Sequence, residues 1–322
     1  MNFMLKTLLI TTGDLDGVGV EVAGKALQKV FPQLKCNIVV YLNKKSLLQF
    51  RSTCRRASIS ANDFSVIKNH MSDHARTPKI YLYVRSDSPA EWVFDAATIA
   101  VKNRKDFALV TGPISKQVVH KKYPGLLGHT DILKKVTANP KLHMGFLGTQ
   151  FNVLLATGHI PIQKIETTLT KNRLKYSLQL AKKMMSFSSH KNKYIGVLGL
   201  NPHSGDDGLI GLFEKNTLIP VIKQMRSQKM RILGPLVPDV AFSSKNIKKV
   251  GIFLALYHDQ GLIPFKYVHG QENGAHVTMG LSFIRTSVDH GTAKDIFKKN
   301  KANPNSMIDA LVWGKKLLGA KL

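Results

Sequence analysis

The sequence predicts an α/β fold with a mostly parallel sheet, and three observations carry that expectation. Short apolar runs ending in glycine or polar turns alternate with stretches of helical spacing. Clusters of polar residues follow those runs directly, where open α/β sheets place their ligands. With 322 residues, the chain is long enough to bury about three-quarters of its unfolded surface, and so needs no disulfide or metal staple to fold.

The elements follow in order. Leu5–Thr12, Asn37–Leu42, Phe107–Thr111, Asn152–Thr157, Tyr194–Leu200 and Gly251–Leu256 read as buried strands. Lys25–Val30, Lys116–Lys121, Arg173–Phe187 and Leu218–Gln228 have helical composition or spacing. Residues 51–77 are poor in apolar pattern and rich in Ser, Asn, Arg and His, and are expected to be surface connections.

Composition narrows the class. The chain is 43% hydrophobic and 21% charged, which excludes a disordered or collagen-like protein. Lys plus Arg is 47 against 20 Asp plus Glu, a formal charge of +27. The basic residues are spread, from Arg51, Arg55 and Arg56 to Lys298 and Lys299, with no basic run interleaved with aromatics and no zinc-finger or RNP-type motif. A generally basic surface is therefore expected, with no specific nucleic-acid partner. Cys36 and Cys54 are the two cysteines and have no metal-ligand spacing, which suits a reducing compartment. No stretch reaches 18 uninterrupted apolar residues, so no membrane partner and a cytoplasmic location are expected.

Five polar clusters follow predicted strands. The first, Gly13-Asp14-Leu15-Asp16-Gly17-Val18-Gly19-Val20-Glu21, is neither a Rossmann fingerprint, since Val22 stands where a third glycine is needed, nor a P-loop, since Ala26 follows Lys25. A tight strand-to-helix turn explains its glycines but not Asp14, Asp16 and Glu21 crowded together. The others are Thr111-Gly112-Pro113, Gly158-His159, Asn201-Pro202-His203-Ser204-Gly205 and Tyr257-His258-Asp259-Gln260-Gly261. His159, His203 and His258 each stand just past a strand, and neutral imidazole is the commonest metal ligand near neutral pH. Asp259 adjoins His258 and Asp239 lies in the turn Val237-Pro238-Asp239; a carboxylate beside a ligating imidazole orients the ring. For Asp239 a plain turn or cap is an equal reading. Lys266 and Arg285 flank Gly270 to Gly280, and both suit phosphate or carboxylate. Arg285 sits inside Phe283-Ile284-Arg285-Thr286-Ser287-Val288, an apolar context that implies burial and hence a partner.

Taken in order, Gly13-Asp14 to Glu21, Leu109-Val110-Thr111-Gly112-Pro113-Ile114, Gly128-His129-Thr130-Asp131, Gly199 to Gly205, Tyr257 to Gly261 and Phe283 to Ala293 resemble the 4-hydroxythreonine-4-phosphate dehydrogenase family of vitamin B6 biosynthesis. The resemblance spans nearly the whole chain and is weakest at residues 43–95. It implies a two-lobed α/β/α fold like that of isocitrate and isopropylmalate dehydrogenases, and a homodimer with the active site between subunits. It implies oxidation of 4-phosphooxy-L-threonine by NAD or NADP and decarboxylation to 3-amino-1-hydroxyacetone phosphate. One divalent metal per site is implied on His159, His203 and His258, with one ligand supplied across the dimer; zinc is the first choice, cobalt and magnesium the alternatives. Substrate contacts fall on His129, Thr130, Lys266, His276 and Arg285. Asp239, Asp259 and Lys266 are the catalytic candidates. Asp289, Gly291, Thr292 and Asp295, in the segment similar to the adenosine-binding stretch of decarboxylating dehydrogenases, are the cofactor candidates.

The chain departs from the family pattern at Leu15 and Val20, where prolines are usual, and at His276, where an Asn contacts substrate. A sister activity on 4-phosphothreonate or 4-phosphoerythronate is the alternative, and a basic nucleic-acid-binding protein on an inactive scaffold is a remote one. The lobes are expected at 1–120 plus 288–322, on the nucleotide side, and at 121–287, for metal, substrate and dimerisation.

Overall fold

The computed structural model describes residues 5–73, 76–187, 193–270 and 273–320. Its strands are β1 (Thr7–Thr11), β2 (Asn37–Asn43), β3 (Ser58–Ala61), β4 (Ile80–Arg85), β5 (Phe107–Thr111), β6 (His143–Leu147), β7 (Asn152–Leu155), β8 (Tyr194–Leu198), β9 (Ile232–Leu236), β10 (Val250–Ala255), β11 (Ala275–Met279) and β12 (Ile284–Ser287). All six runs predicted from apolar pattern are strands. The chain divides into two compact units, Met1–Leu142 with Gly274–Leu322, and His143–Asn273. The divisions expected from sequence lay after residues 120 and 287. Helix His129–Thr137 belongs with the first unit because it packs on helix Pro89–Lys102.

In the first unit the strand order is β3-β4-β2-β1-β5-β12-β11, parallel except for the β11–β12 pair. β1 is in the middle and is buried along its whole length, which is why Leu8, Leu9 and Ile10 have no polar neighbour between them. Helix Gly19–Leu34 follows β1 so closely that a Cβ on Gly19 would stand 1.6 Å from the Thr12 carbonyl oxygen, and only glycine fits there. Helix Pro89–Lys102 begins with a reciprocal capping box between Ser88 and Glu91 and covers one sheet face with Trp92, Ala96, Ala97 and Ala100.

Residues 51–77 correct the sequence reading. They are more than surface connections, because strand β3 pairs with β4 and helix Phe64–Asp73 buries Ile67 and Met71 against the core. The pattern is thin because β3 is the last strand of its sheet and only one face of the helix is covered.

In the second unit the order is β6-β7-β10-β8-β9, with β6–β7 antiparallel and the remaining pairs parallel. Pro235 lies in β9, the outermost strand, where a missing amide donor is tolerated. The core is aromatic: Phe151 packs against Phe242, Phe253 and Phe265 with ring centroids 5.4, 5.3 and 6.1 Å away. No described helix is long and apolar enough to cross a membrane.

Trp92 is wholly buried in the apolar cluster that helix Pro89–Lys102 forms on the sheet. Trp92→Ala should cost about 3–5 kcal/mol in chemical denaturation of the first unit. A loss below about 1 kcal/mol would show that this cluster is not what holds the unit.

Candidate active site

Strand β12 runs parallel to β5 with Arg285 opposite Leu109, and this register carries the Arg285 side chain into the interior, where it is 3% exposed. Its Nη1 donates to Thr278 Oγ1 at 2.9 Å and to His276 Nδ1 at 3.1 Å, and its Nη2 donates to Thr111 Oγ1 at 2.5 Å. Its Nε has no hydrogen-bond partner, and among the described residues no carboxylate pairs with it. Burial lowers its pKa to about 9, so it remains a cation at neutral pH. A desolvated cation without counter-charge is costly in the free chain and is ready-made for an anion.

Two histidines border it. His129 is the first residue of helix His129–Thr137, after Gly128 in extended conformation, and its buried Nε2 has no partner. Burial, and then the charge of Arg285, hold the His129 imidazole well below the ordinary histidine range, so it is neutral. Thr130 follows it, half-buried. His276 on β11 has its Nδ1 2.8 Å from Ser287 Oγ as well as facing Arg285. Because a guanidinium only donates, Nδ1 accepts and the ring proton of a neutral His276 is on Nε2.

The segment Asp289–Asp295 docks on the first glycine loop, and this accounts for that loop's acidity. The Val18 amide donates to Thr292 O at 3.0 Å, and Lys294 Nζ lies 2.7 Å from Asp16 Oδ2 and 3.7 Å from Asp14 Oδ2. Asp14 Oδ1 also accepts from the Ser115 amide at 3.0 Å, and Glu21 Oε1 accepts from Lys25 Nζ at 2.7 Å and the Ala302 amide at 2.8 Å. The three carboxylates therefore fasten three other stretches of chain to the loop after β1. Of the cofactor candidates, Asp289 donates its amide to Ser306 Oγ at 2.8 Å, Thr292 is half-buried, and Gly291 and Asp295 are exposed.

In the second unit, residues just beyond β7, β10 and β8 carry His159, His258 and His203. The His159 and His258 rings have centroids 5.0 Å apart. His258 Nδ1 lies 2.6 Å from Asp259 Oδ1, so the carboxylate orients the ring and leaves Nε2 to face elsewhere. His203 and Asp239 line a cavity of about 370 Å³ with Leu200, Pro202, Pro238 and Tyr257. Lys266 is half-buried on helix His258–His269. Among the described residues no three His, Cys, Asp or Glu side chains stand close enough to hold a metal ion. The donor chemistry of the set nonetheless fits an ion that takes nitrogen ligands: two imidazoles face each other and one is oriented by a carboxylate.

His203 opens a left-handed turn. Residues His203, Ser204, Gly205, Asp206 and Asp207 have φ of 51, 54, 83, 42 and 52°. Each non-glycine residue there costs about 1–2 kcal/mol, and such strain persists only where surrounding contacts impose it. Sequence reasoning missed Thr278 altogether, and Lys294 stood only inside the Asp289–Asp295 motif. It quoted Thr111 only within a motif, and nothing in a lone threonine marks it as the partner of an arginine 174 positions away.

Because the folded pKa of Arg285, about 9, lies below its ordinary value, the folded chain binds fewer protons above that pH than the unfolded one. Stability from this group therefore rises with pH above about 9, and at lower pH its full penalty stands. Arg285→Met removes the desolvated charge and should raise the unfolding free energy at neutral pH. A destabilised variant in the same denaturation experiment would mean that the hydroxyl partners already compensate the charge.

Comparison with known proteins agrees with the motifs. The family model for the pyridoxal phosphate biosynthetic protein PdxA matches residues 35–313. A 4-hydroxythreonine-4-phosphate dehydrogenase of Sulfurihydrogenibium sp. (strain YO3AOP1) is 34% identical over 314 residues, covering 94% of this chain and 96% of its own. The crystal structure of a 4-hydroxythreonine-4-phosphate dehydrogenase from Klebsiella pneumoniae superposes with a TM-score of 0.83 at 25% identity, over 99% of this chain and 100% of that one. An isocitrate dehydrogenase from Methylococcus capsulatus shares the fold alone, with a TM-score of 0.52 at 14% identity over 98% and 86% of the two chains. With the family model covering most of the chain and the relatives spanning nearly all of it, the protein belongs to the PdxA family and is an oxidoreductase.

Proposed function

We propose that the chain oxidises 4-phosphooxy-L-threonine with NAD or NADP and decarboxylates the product to 3-amino-1-hydroxyacetone phosphate, in pyridoxal phosphate biosynthesis. The observation that carries this reading is Arg285, a buried guanidinium with no counter-charge among the described residues, framed by hydroxyl and imidazole groups. Such a centre is built for a phosphate or carboxylate, and the proposed substrate has both.

The chain's own groups divide the work. Thr111 and Thr278 fix the plane of the guanidinium so that its fork is set before substrate arrives. Neutral His129 adds a hydrogen-bonding nitrogen without a second positive charge, and Thr130 stands next to it in the chain; Lys266 is the substrate-binding candidate of the second unit. His159, His203 and His258 would hold a divalent ion, with Asp259 fixing the His258 ring. Asp239, exposed at the edge of the His203 cavity, is the candidate for taking the alcohol proton, and Lys266 for moving a proton in the decarboxylation. The chemistry such an ion would supply is Lewis acidity at the substrate oxygen, and that of a bound nicotinamide would be hydride acceptance. Asp289, Gly291, Thr292 and Asp295 would receive the dinucleotide. A homodimer with the active site between subunits is part of this proposal. A cytoplasmic location belongs to the same proposal.

His276 favours a second reading. With Nδ1 turned to Arg285, a neutral ring presents an N–H, which suits a substrate hydroxyl better than an ammonium. That would favour 4-phosphothreonate or 4-phosphoerythronate.

Purified protein should reduce NAD or NADP on addition of 4-phosphooxy-L-threonine, and a chelator should stop it. Turnover of only the sugar acids would move the substrate and keep the chemistry, whereas chelator-resistant turnover would remove the metal. Arg285→Lys should lower kcat/KM by about a hundred-fold, since charged hydrogen bonds are worth about 1.5–3 kcal/mol each. An unchanged value would free Arg285 from substrate binding. Because only the protonated guanidinium binds an anion, kcat/KM should fall as pH rises through about 9. A profile flat to higher pH in the wild type and falling in the Lys variant would reverse that assignment.

A further inference from the structure

Glu214 has no place in the sequence reading or in the chemistry above, yet it is 1% exposed and its carboxylate is fully engaged with the stretch that leads into His203. Oε1 accepts from the Leu200 amide at 2.7 Å and from the Asn201 amide at 2.8 Å, and Oε2 accepts from Asn201 Nδ2 at 2.9 Å. No lysine or arginine pairs with Glu214 among the described residues, so these three donors are what hold a buried carboxylate there. The turn closes around it. The Ser204 amide donates to Asn201 O at 3.1 Å and the Ile210 amide to Gly205 O at 3.1 Å. A Cβ on Gly205, at φ +83°, would stand 2.8 Å from Glu214 Oε2, and a Cβ on Gly211 would stand 2.6 Å from Asn201 Nδ2. The two glycines therefore leave room for this carboxylate and its amide partner.

We propose that Glu214 is the positioning residue of His203: its buried carboxylate fixes Leu200 and Asn201, and through them the five-residue left-handed turn that sets the imidazole at the mouth of the cavity it shares with Asp239 and Tyr257. The strained backbone of residues 203–207 is maintained by contacts from outside the turn, and Glu214 supplies the ones at its entrance. The role assigned to His203 rests on the proposed function, while the clamp itself rests on the geometry. Glutamine can keep one oxygen on the two amides while the Asn201 side-chain amide turns over to accept from the new NH2, so Glu214→Gln retains the clamp. Alanine removes it.

Two measurements on the full chain test the proposal. In hydrogen exchange, Glu214→Ala should raise the rate at the amides of residues 199–210 at least about ten-fold, with the Phe151 core unchanged, and Glu214→Gln should restore wild-type protection. In calorimetric titration with cobalt(II), Glu214→Ala should bind about ten- to a hundred-fold more weakly, with the dissociation constant recovered in Glu214→Gln. Unchanged exchange in the alanine variant overturns the proposal. So does an unchanged cobalt affinity in a variant whose turn has loosened, since His203 would then not need the clamp. Wild-type protein that binds no cobalt overturns His203 as a ligand, and with it the metal in the proposed function. Loosening confined to 199–210 in that case still establishes the clamp, so the two failures are distinguishable.

Discussion

The parallel pairing of β12 with β5 is the constraint on which the first unit depends. It joins the C-terminal stretch to the strands built from the N-terminal part and gives the sheet a chain order that no run of adjacent elements supplies. It also fixes which way each side chain of Ile284–Ser287 points. Thr286 reaches Ala310 O at 2.8 Å on the helix side, and Arg285 meets Thr111 and Thr278 on the other. A one-residue slip would exchange those two environments, leaving a guanidinium against apolar helix packing. The register thus places a buried cation among hydroxyl and imidazole groups.

The same logic governs the loop after β1. A strand-to-helix turn needs its glycines for close backbone approach, but a loop free to move could not support a ligand segment beside it. Asp14, Asp16 and Glu21 convert the turn into an anchor by engaging Ser115, Lys294, Lys25 and the Ala302 amide. The Lys294–Asp16 pair is exposed, where a single ion pair contributes little. The buried contacts of Asp14 and Glu21 with backbone amides are the stronger ones, because an unmet buried amide carries its own desolvation cost.

The second unit reaches its arrangement by other means. An aromatic core around Phe151 supports parallel strands whose following loops carry histidines, and the chain then enters a left-handed turn that its own propensities oppose. Local preference loses there because a buried carboxylate and two glycines hold the turn from beside it. Such a conflict between local and global structure is where a functional constraint is expected to show.

By itself the sequence determined the α/β class, six of the described strands and the polar clusters that follow them, because a strand buried on both faces has a run of apolar residues and a ligand loop has a run of polar ones. It also supplied the order of motifs that identifies the family. Tertiary structure decided the rest. Strands β11 and β12 hold His276, Thr278, Arg285 and Thr286 inside the sheet, and a strand that buries polar groups against one another has no apolar signature. Strand β3 and its helix were hidden because an edge needs only half a pattern. Glu214, Thr111 and Lys294 are ordinary residues at their own positions and acquire a role only from partners that lie 13, 174 and 278 positions away. Composition and periodicity record how a residue is buried, whereas a hydrogen bond across such distances depends on where the fold brings the chain back.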